Sequence, residues 1–344
     1  MKSKGIFAIA ACLLGLVFGL SPVVLAQQRA DGTPQAFPQP PPAKEVTVTE
    51  IPGVIAAGAK WTLIWGGPDN ADGLVGTADG GILFAQEQPS RIIKIDKDDK
   101  ASIFLENTHG TGALAIDSKG RVLGVERTCT DPGGHPDRCT EPTEVAVLIP
   151  ERKILADKCE GKGLGRLNDL VADTKGGVYF NGDAVYYVSS KGQVSCFGEG
   201  LRTNGIMLSR DEKNFYVTNE QVLVAFDVQP DGTAKNQRDF AKLEVGGAGD
   251  GMAIDSAGRL YVSSGAPGIQ VFSAEGKYLG AIPLPRPVSS IAFSGPGKKI
   301  LYAKGAGALD QDGKEFRTPD GVRNNAKSVY KISMLAQGFE GRPK

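Results

Sequence analysis

The sequence predicts an all-β fold: a six-bladed β-propeller with four antiparallel strands per blade. One phrase recurs six times, its spacing matches the size of a propeller blade, and helical periodicity is essentially absent. The copies are DGLVGTADGGILFAQ from Asp72, GALAIDSKGRVLGVE from Gly112, NDLVADTKGGVYFNG from Asn168, NGIMLSRDEKNFYVTN from Asn204, DGMAIDSAGRLYVSS from Asp250 and SSIAFSGPGKKILYA from Ser289. Their first residues lie 40, 56, 36, 46 and 39 positions apart, and units of about 40 to 50 residues built from short strands and Gly/Asp turns are blades.

Each copy reads as an inner hairpin followed by an outer one. In the fifth, Met252, Ala253 and Ile254 form a short buried strand. Asp255 to Gly258 form a turn whose glycine tolerates positive φ. The run at 259–263 then alternates polar and apolar residues, as a strand packed on one face does. Residues 269–272 and 277–282, joined at Glu275-Gly276, supply the outer pair. Similar outer hairpins occur at 92–95 with 101–104, and at 185–188 with 194–197. Six blades is the direct count of copies; a seventh would require the segment 45–65 to do more than close the last blade. The interval of 56 holds residues 127–145, too long for a tight hairpin and typical of a lid, a binding loop or a disordered segment, with a disulfide across its base arguing against disorder.

Residues 1–26 read as a signal peptide: Lys2 and Lys4, an uncharged apolar run from Gly5, and small residues ending at Ala26 for cleavage. Residues 27–47 are proline-rich without periodicity and read as a disordered tether. Residues 48–344 then form the propeller as one domain, exported to the periplasm or the medium and monomeric. The 39 basic and 39 acidic residues are scattered and cancel, which excludes the basic face of a nucleic-acid binder. After cleavage no membrane association is expected. Four cysteines remain, and an even count in an exported chain favours disulfides. Cys129 and Cys139 flank a Pro/Gly-rich insertion and make the natural pair, leaving Cys159 with Cys196.

The first residues of the copies point to chemistry. A propeller brings equivalent positions round one axis, and four of the six carry an oxygen ligand: Asp72, Asn168, Asn204 and Asp250. Two carboxylates and two carboxamides suit a hard divalent cation such as Ca²⁺, Mg²⁺ or Mn²⁺. Asp or Asn before Gly is also a common turn pair, but an ordinary turn would follow the strand instead of preceding it. Other layouts lack their parts. There is no G-x-S-x-G elbow, the glycine-rich stretch 246–249 lacks the GK[ST] ending of a phosphate loop, and only His109 and His135 are available as imidazoles.

NGIMLS from Asn204, DGMAIDSAGRLYV from Asp250, RLND from Arg166 and the closing KSVYKIS from Lys327 together resemble the regucalcin (senescence marker protein)/gluconolactonase family, over about residues 66–341. The resemblance implies a six-bladed propeller with one divalent cation in its channel, Ca²⁺ foremost and Mn²⁺, Mg²⁺ or Zn²⁺ as alternatives. It implies an enzyme that opens a sugar lactone or related cyclic ester. Asn204 and Asp250 match the family's metal-binding Asn and Asp, and Asp250 also its proposed base. Arg166 and Asn168 match its substrate contacts. The first ligand, a Glu in the family, falls on Asp72, one methylene shorter. The implied mechanism is a metal-polarised carbonyl with Asp250, or a metal-bound water, as base. The alternative is a non-catalytic exported propeller that keeps a structural Ca²⁺ and binds a sugar or a protein.

Overall fold

The computed structural model describes residues 37–127, 142–198 and 200–343. Its strands form six four-stranded antiparallel sheets. From the channel outward, the first blade is Asp72–Gly76, Ile82–Gln86, Arg91–Ile95 and Ala101–Glu106. The second is Thr111–Ile116, Val122–Glu126, Glu144–Ile149 and Lys153–Ala156. The third is Leu170–Ala172, Val178–Asn181, Val185–Val188 and Val194–Phe197. The fourth is Thr203–Leu208, Asn214–Asn219, Val222–Val228 and Ala234–Lys242. The fifth is Met252–Ile254, Leu260–Ser263, Ile269–Phe272 and Tyr278–Ile282.

The sixth blade is closed by both ends of the chain. Val288–Ser294, Ile300–Ala306 and Lys327–Ser333 are its inner strands, and Thr62–Gly67 is its outermost. The N-terminal segment thus completes this sheet and makes no seventh. Sealing the ring with distant parts of the sequence removes the two open sheet faces that a linear row of blades would leave.

The turn chemistry repeats as the copies do. Asp255 Oδ1 accepts the N–H groups of Ala257 and Arg259, both at 2.9 Å. Asp117 does the same for Lys119 and Arg121, and Asp173 for Lys175 and Gly177. The residues beyond each turn alternate because their two faces pack on two neighbouring blades. One cluster joins Tyr261, Ile269 and Val271 of the fifth blade to Ile291, Phe293 and Leu301 of the sixth, and Val48, Ile51, Val54 and Ile55 fill it from the N-terminal side. Residues 38–47 carry no strand or helix, yet they are tied down. Gln39 bonds Thr318 and Asn324, the Ala43 N–H donates to Glu315 at 3.1 Å, and the Arg286 guanidinium donates to the Pro41 carbonyl at 3.2 Å.

By contact pattern the chain divides into two units. The propeller unit comprises Pro38–Thr318 with Arg323–Lys344; the other comprises Met1–Phe37 with Pro319–Val322. Of the second unit, the described part is Phe37 and a turn in which the Val322 N–H donates to the Pro319 carbonyl at 3.1 Å. The expected leader, the 129–139 cysteine pair and His135 lie outside the described residues. The second expected pair is present: Cys159, on a small hairpin (Lys158–Cys159 with Lys162–Gly163), is disulfide-bonded to Cys196 on the third blade's outer strand.

Candidate active site

All innermost strands start at one end of the channel, and the second strands, running antiparallel, finish there. Asp72 opens the first blade's inner strand, and Asn204 is the second residue of the fourth's. Asn168 and Asp250 stand two residues ahead of the third and fifth. At this end the pairing with the second strand slips out of register between Asp72 and Val75, Thr111 and Ala113, Thr203 and Ile206, and Val288 and Ser290. Such bulges re-aim side chains at the rim of a sheet, here toward the axis.

The glycines after Asp72 and Asn204 have their own reason. A Cβ on Gly205 would lie 1.9 Å from the Asp250 carbonyl oxygen, and one on Gly73 would lie 2.3 Å from the Ala113 Cα. D-G and N-G therefore mark places where neighbouring inner strands press together. Hydrogen bonds stitch the same ring: Asn168 Nδ2 donates to the Thr203 carbonyl at 2.9 Å, the Gly251 N–H to the Ser289 carbonyl at 3.0 Å, and the Leu74 N–H to Ser290 Oγ at 3.0 Å.

Within the ring lies a cavity of about 180 Å³ whose lining includes Asp72, Arg166, Asn168, Asn204 and Asp250. The structure thus brings together all five residues singled out from the sequence. His109 is exposed and does not line it, and Asp69 is engaged by Arg91 at 3.2 Å. Glu126 is fully buried and paired with Arg152.

Four charged residues that the sequence reading passed over complete the electrostatics. Arg127 and Asp169 line the cavity. Glu87 and Lys304 are buried beside it through their ion pairs to lining residues. Arg127 follows the second blade's second strand and spans three blades: Nη1 to Glu87 at 2.7 Å, Nε to the Leu167 carbonyl at 2.8 Å and Nη2 to the Asn168 carbonyl at 3.2 Å. Glu87 also takes Arg166 Nη2 at 3.2 Å, leaving the rest of that guanidinium facing the cavity with its side chain 43% exposed. Asp169 accepts the Leu170 N–H at 2.9 Å and the Ile206 N–H at 3.4 Å. Lys304, on the sixth blade's second strand, donates from Nζ to Asp72 Oδ1 at 3.0 Å. A lysine inside ILYAKGA, in a strand position otherwise apolar or small, was the available signal.

These neighbours split the two carboxylates. Burial raises Asp72, but the Lys304 ammonium and then the Arg127 guanidinium outweigh it, so its pKa lies below the usual value. Asp250 is pushed up to about 7, by burial first and then by the negative charge of Asp72, with Lys304 opposing. Burial and Arg127 lower Arg166, against the pull of Glu87. Burial and the nearby Lys304 bring Lys327 down to about 7.

The family described as SMP-30/Gluconolactonase/LRE-like region matches residues 112–306. The chain belongs to this family. Among its relatives, the pentonolactonase of Haloferax volcanii is 28% identical over 187 residues, covering 50% of this chain and 64% of that protein, so the match spans slightly under two thirds of its length. The gluconolactonase of Zymomonas mobilis is 26% identical over 288 residues, covering 73% of this chain and 78% of that protein. The crystal structure of a calcium-binding protein, regucalcin, from Agrobacterium tumefaciens superposes with a TM-score of 0.63 at 15% identity, over 82% of this chain and 96% of that one, and shows the shared propeller.

The donor set is compatible with the hard cation that the SMP-30/gluconolactonase resemblance implies. Among the described residues no three His, Cys, Asp or Glu side chains gather to hold a metal by themselves, so a bound ion would need further oxygen donors such as a carboxamide. Asn204 supplies one, with no hydrogen bond to its side chain among the described residues. Asp72 and Asp250 each commit one oxygen, Oδ1, to the N–H of the next residue, leaving Oδ2 without a hydrogen bond among those residues. Oxygen donors of this kind suit Ca²⁺, Mg²⁺ or Mn²⁺.

Proposed function

We propose that this chain is a metal-dependent hydrolase of sugar lactones or related cyclic esters, with Asp250 as base. The observation that carries the reading is the convergence of Asp72, Arg166, Asn168, Asn204 and Asp250 on one cavity, in a family whose relatives include a pentonolactonase and a gluconolactonase. Asn204, Asp250 and the free oxygen of Asp72 would hold one divalent cation, Ca²⁺ foremost, as the family resemblance implies. When bound, such an ion polarises the lactone carbonyl and stabilises charge developing on its oxygen.

The remaining work falls to this chain's own groups. Arg166 presents its uncommitted guanidinium nitrogens to substrate hydroxyl or carbonyl oxygens, while Glu87 fixes the plane of the group. Asn168 spends Nδ2 on Thr203 and keeps Oδ1 for a substrate hydroxyl. Asp250 takes a proton from the attacking water as its oxygen bonds to the acyl carbon. The ring C–O bond then breaks, and the proton passes to the departing alkoxide, giving the open hydroxy acid.

Asp250→Asn is expected to lower lactone turnover by about 100-fold or more, and chelation is expected to abolish it until Ca²⁺ is restored. Full turnover in the variant, measured by acid release from a panel of aldonolactones, sinks this reading. We also propose export, from the sequence of residues 1–26. The mature protein should then begin at Gln27 by intact mass, and a full-length cytoplasmic product would refute it.

A further inference from the structure

We propose that Lys304 is a built-in competitor for the cation: its ammonium occupies Asp72 and so sets how tightly the mouth holds a divalent ion. The proposal rests on the metal-dependent reading above. Lys304 is an unusual surface for a carboxylate ligand to meet. Its side chain is 4% exposed, against 28% for Asp72, so water screens the pair poorly. It sits opposite Ser290 in the sixth blade, whose Oγ already receives the Leu74 N–H, and the strand around it is buried. Arg127 adds a second positive field at Asp72.

The consequence is a matter of charge. Asp72 and Asp250 together would present two negative charges, which neutralise a divalent ion. With Lys304 fixed on Asp72, the three groups present one. Oxygen-ligand sites tune affinity through the charge count of the set, so the ion here meets a weaker pull and an ammonium within ion-pair reach of one of its own ligands. The shorter Asp, in place of the Glu implied by resemblance, fits the same division. It carries both a lysine and, with its second oxygen, a share in the ion. Lys304 is thus a positioning residue that trades cation affinity for an ion pair with one of the ligands.

The experiment is calorimetric titration of Ca²⁺ and of Mn²⁺ into the whole protein and its Lys304→Met, Lys304→Gln and Lys304→Arg variants, after each is shown to unfold cooperatively. Lys304→Met and Lys304→Gln should bind either ion about tenfold or more tightly than wild type, and Lys304→Arg, which keeps the charge, should match wild type. The rise in unfolding temperature at fixed Ca²⁺ should follow the same order. Should Lys304→Met fail to fold, the Gln variant carries the comparison. Unchanged or weakened affinity in the neutral variants overturns the role given to Lys304 and leaves the hydrolase reading standing. No ion binding by any of the proteins, with lactone turnover intact, overturns both.

Discussion

Gly205 shows how one missing methyl places a functional group. Its Cα lies so close to the fifth blade that a Cβ would overlap the Asp250 carbonyl oxygen. Gly205→Ala must therefore push the fourth blade's inner strand, which carries Asn204, away from the segment at Asp250. Overpacking of this kind costs about 1–3 kcal/mol, and misplacing a catalytic group by an ångström costs about 100-fold in rate. The expected result is a folded but destabilised protein with turnover and cation affinity both reduced, whereas Gly163→Ala, where a Cβ meets nothing within 4 Å, should be neutral on both. Equal kinetics for the two variants would refute this account of the N-G pair. The five cavity residues were legible because each sits at a repeated position or in a motif. Glu87, Arg127 and Lys304 were not, because their ion-pair partners come from other blades. Arg127 reads as a surface cation beside a loop until Glu87 and the Leu167 carbonyl are seen to enclose it.

At the scale of elements, what the sequence shows depends on how local the pairing is. The inner and outer hairpins announce themselves by alternation and by Asp and Gly turns, as at Asp255, whose carboxylate closes its own turn. The strand Thr62–Gly67 was legible only as part of a segment, 45–65, that closes the last blade, and its pairing was not, because its partner Lys327–Ser333 lies at the far end of the sequence. The hairpin at Lys158–Cys159 and Lys162–Gly163, with two residue pairs, was hidden as well; the packing of Cys159 and Leu164 in the cluster of the second and third blades and one covalent link hold it. Its Cys159 closes a loop of 37 residues with Cys196, and cross-links over such loops contribute about 2–4 kcal/mol. Replacing both cysteines by Ser should lower the unfolding free energy by that amount, read from the denaturant midpoint and slope, while cation affinity stays unchanged, since neither residue lines the cavity. Loss of cation binding without loss of stability would contradict this assignment of the bridge to the frame.

The molecule as a whole is closed at its other end by its own C-terminus. The Gly76 N–H donates to the Pro343 carbonyl at 2.6 Å, the Phe339 N–H to the Ile254 carbonyl at 3.0 Å and the Ser256 N–H to the Gln337 carbonyl at 2.8 Å. Arg342, 2% exposed, reaches Glu212 of the fourth blade at 2.5 Å. One short tail thus touches four blades at the end opposite Asp72 and Asp250, so the cavity is approached from the end that carries the ligands. Lys298, at the turn of the sixth blade, anchors this tail by donating to the carbonyls of Phe339, at 3.0 Å, and Arg342. Burial depresses its ammonium to about 8. A lysine that loses its proton sooner in the folded state than in the unfolded chain binds fewer protons when folded across the interval from about 8 to its ordinary value. Stability contributed through this group therefore rises with pH in that window. Lys298→Met abolishes the titration. The difference in unfolding temperature between wild type and Lys298→Met should move in favour of wild type between pH 8 and 10 and stay level from pH 6 to 7. A difference that is flat throughout, or that moves toward the variant as pH rises, would show that the ammonium is held charged by the tail carbonyls and that closure of the channel does not depend on its neutral form.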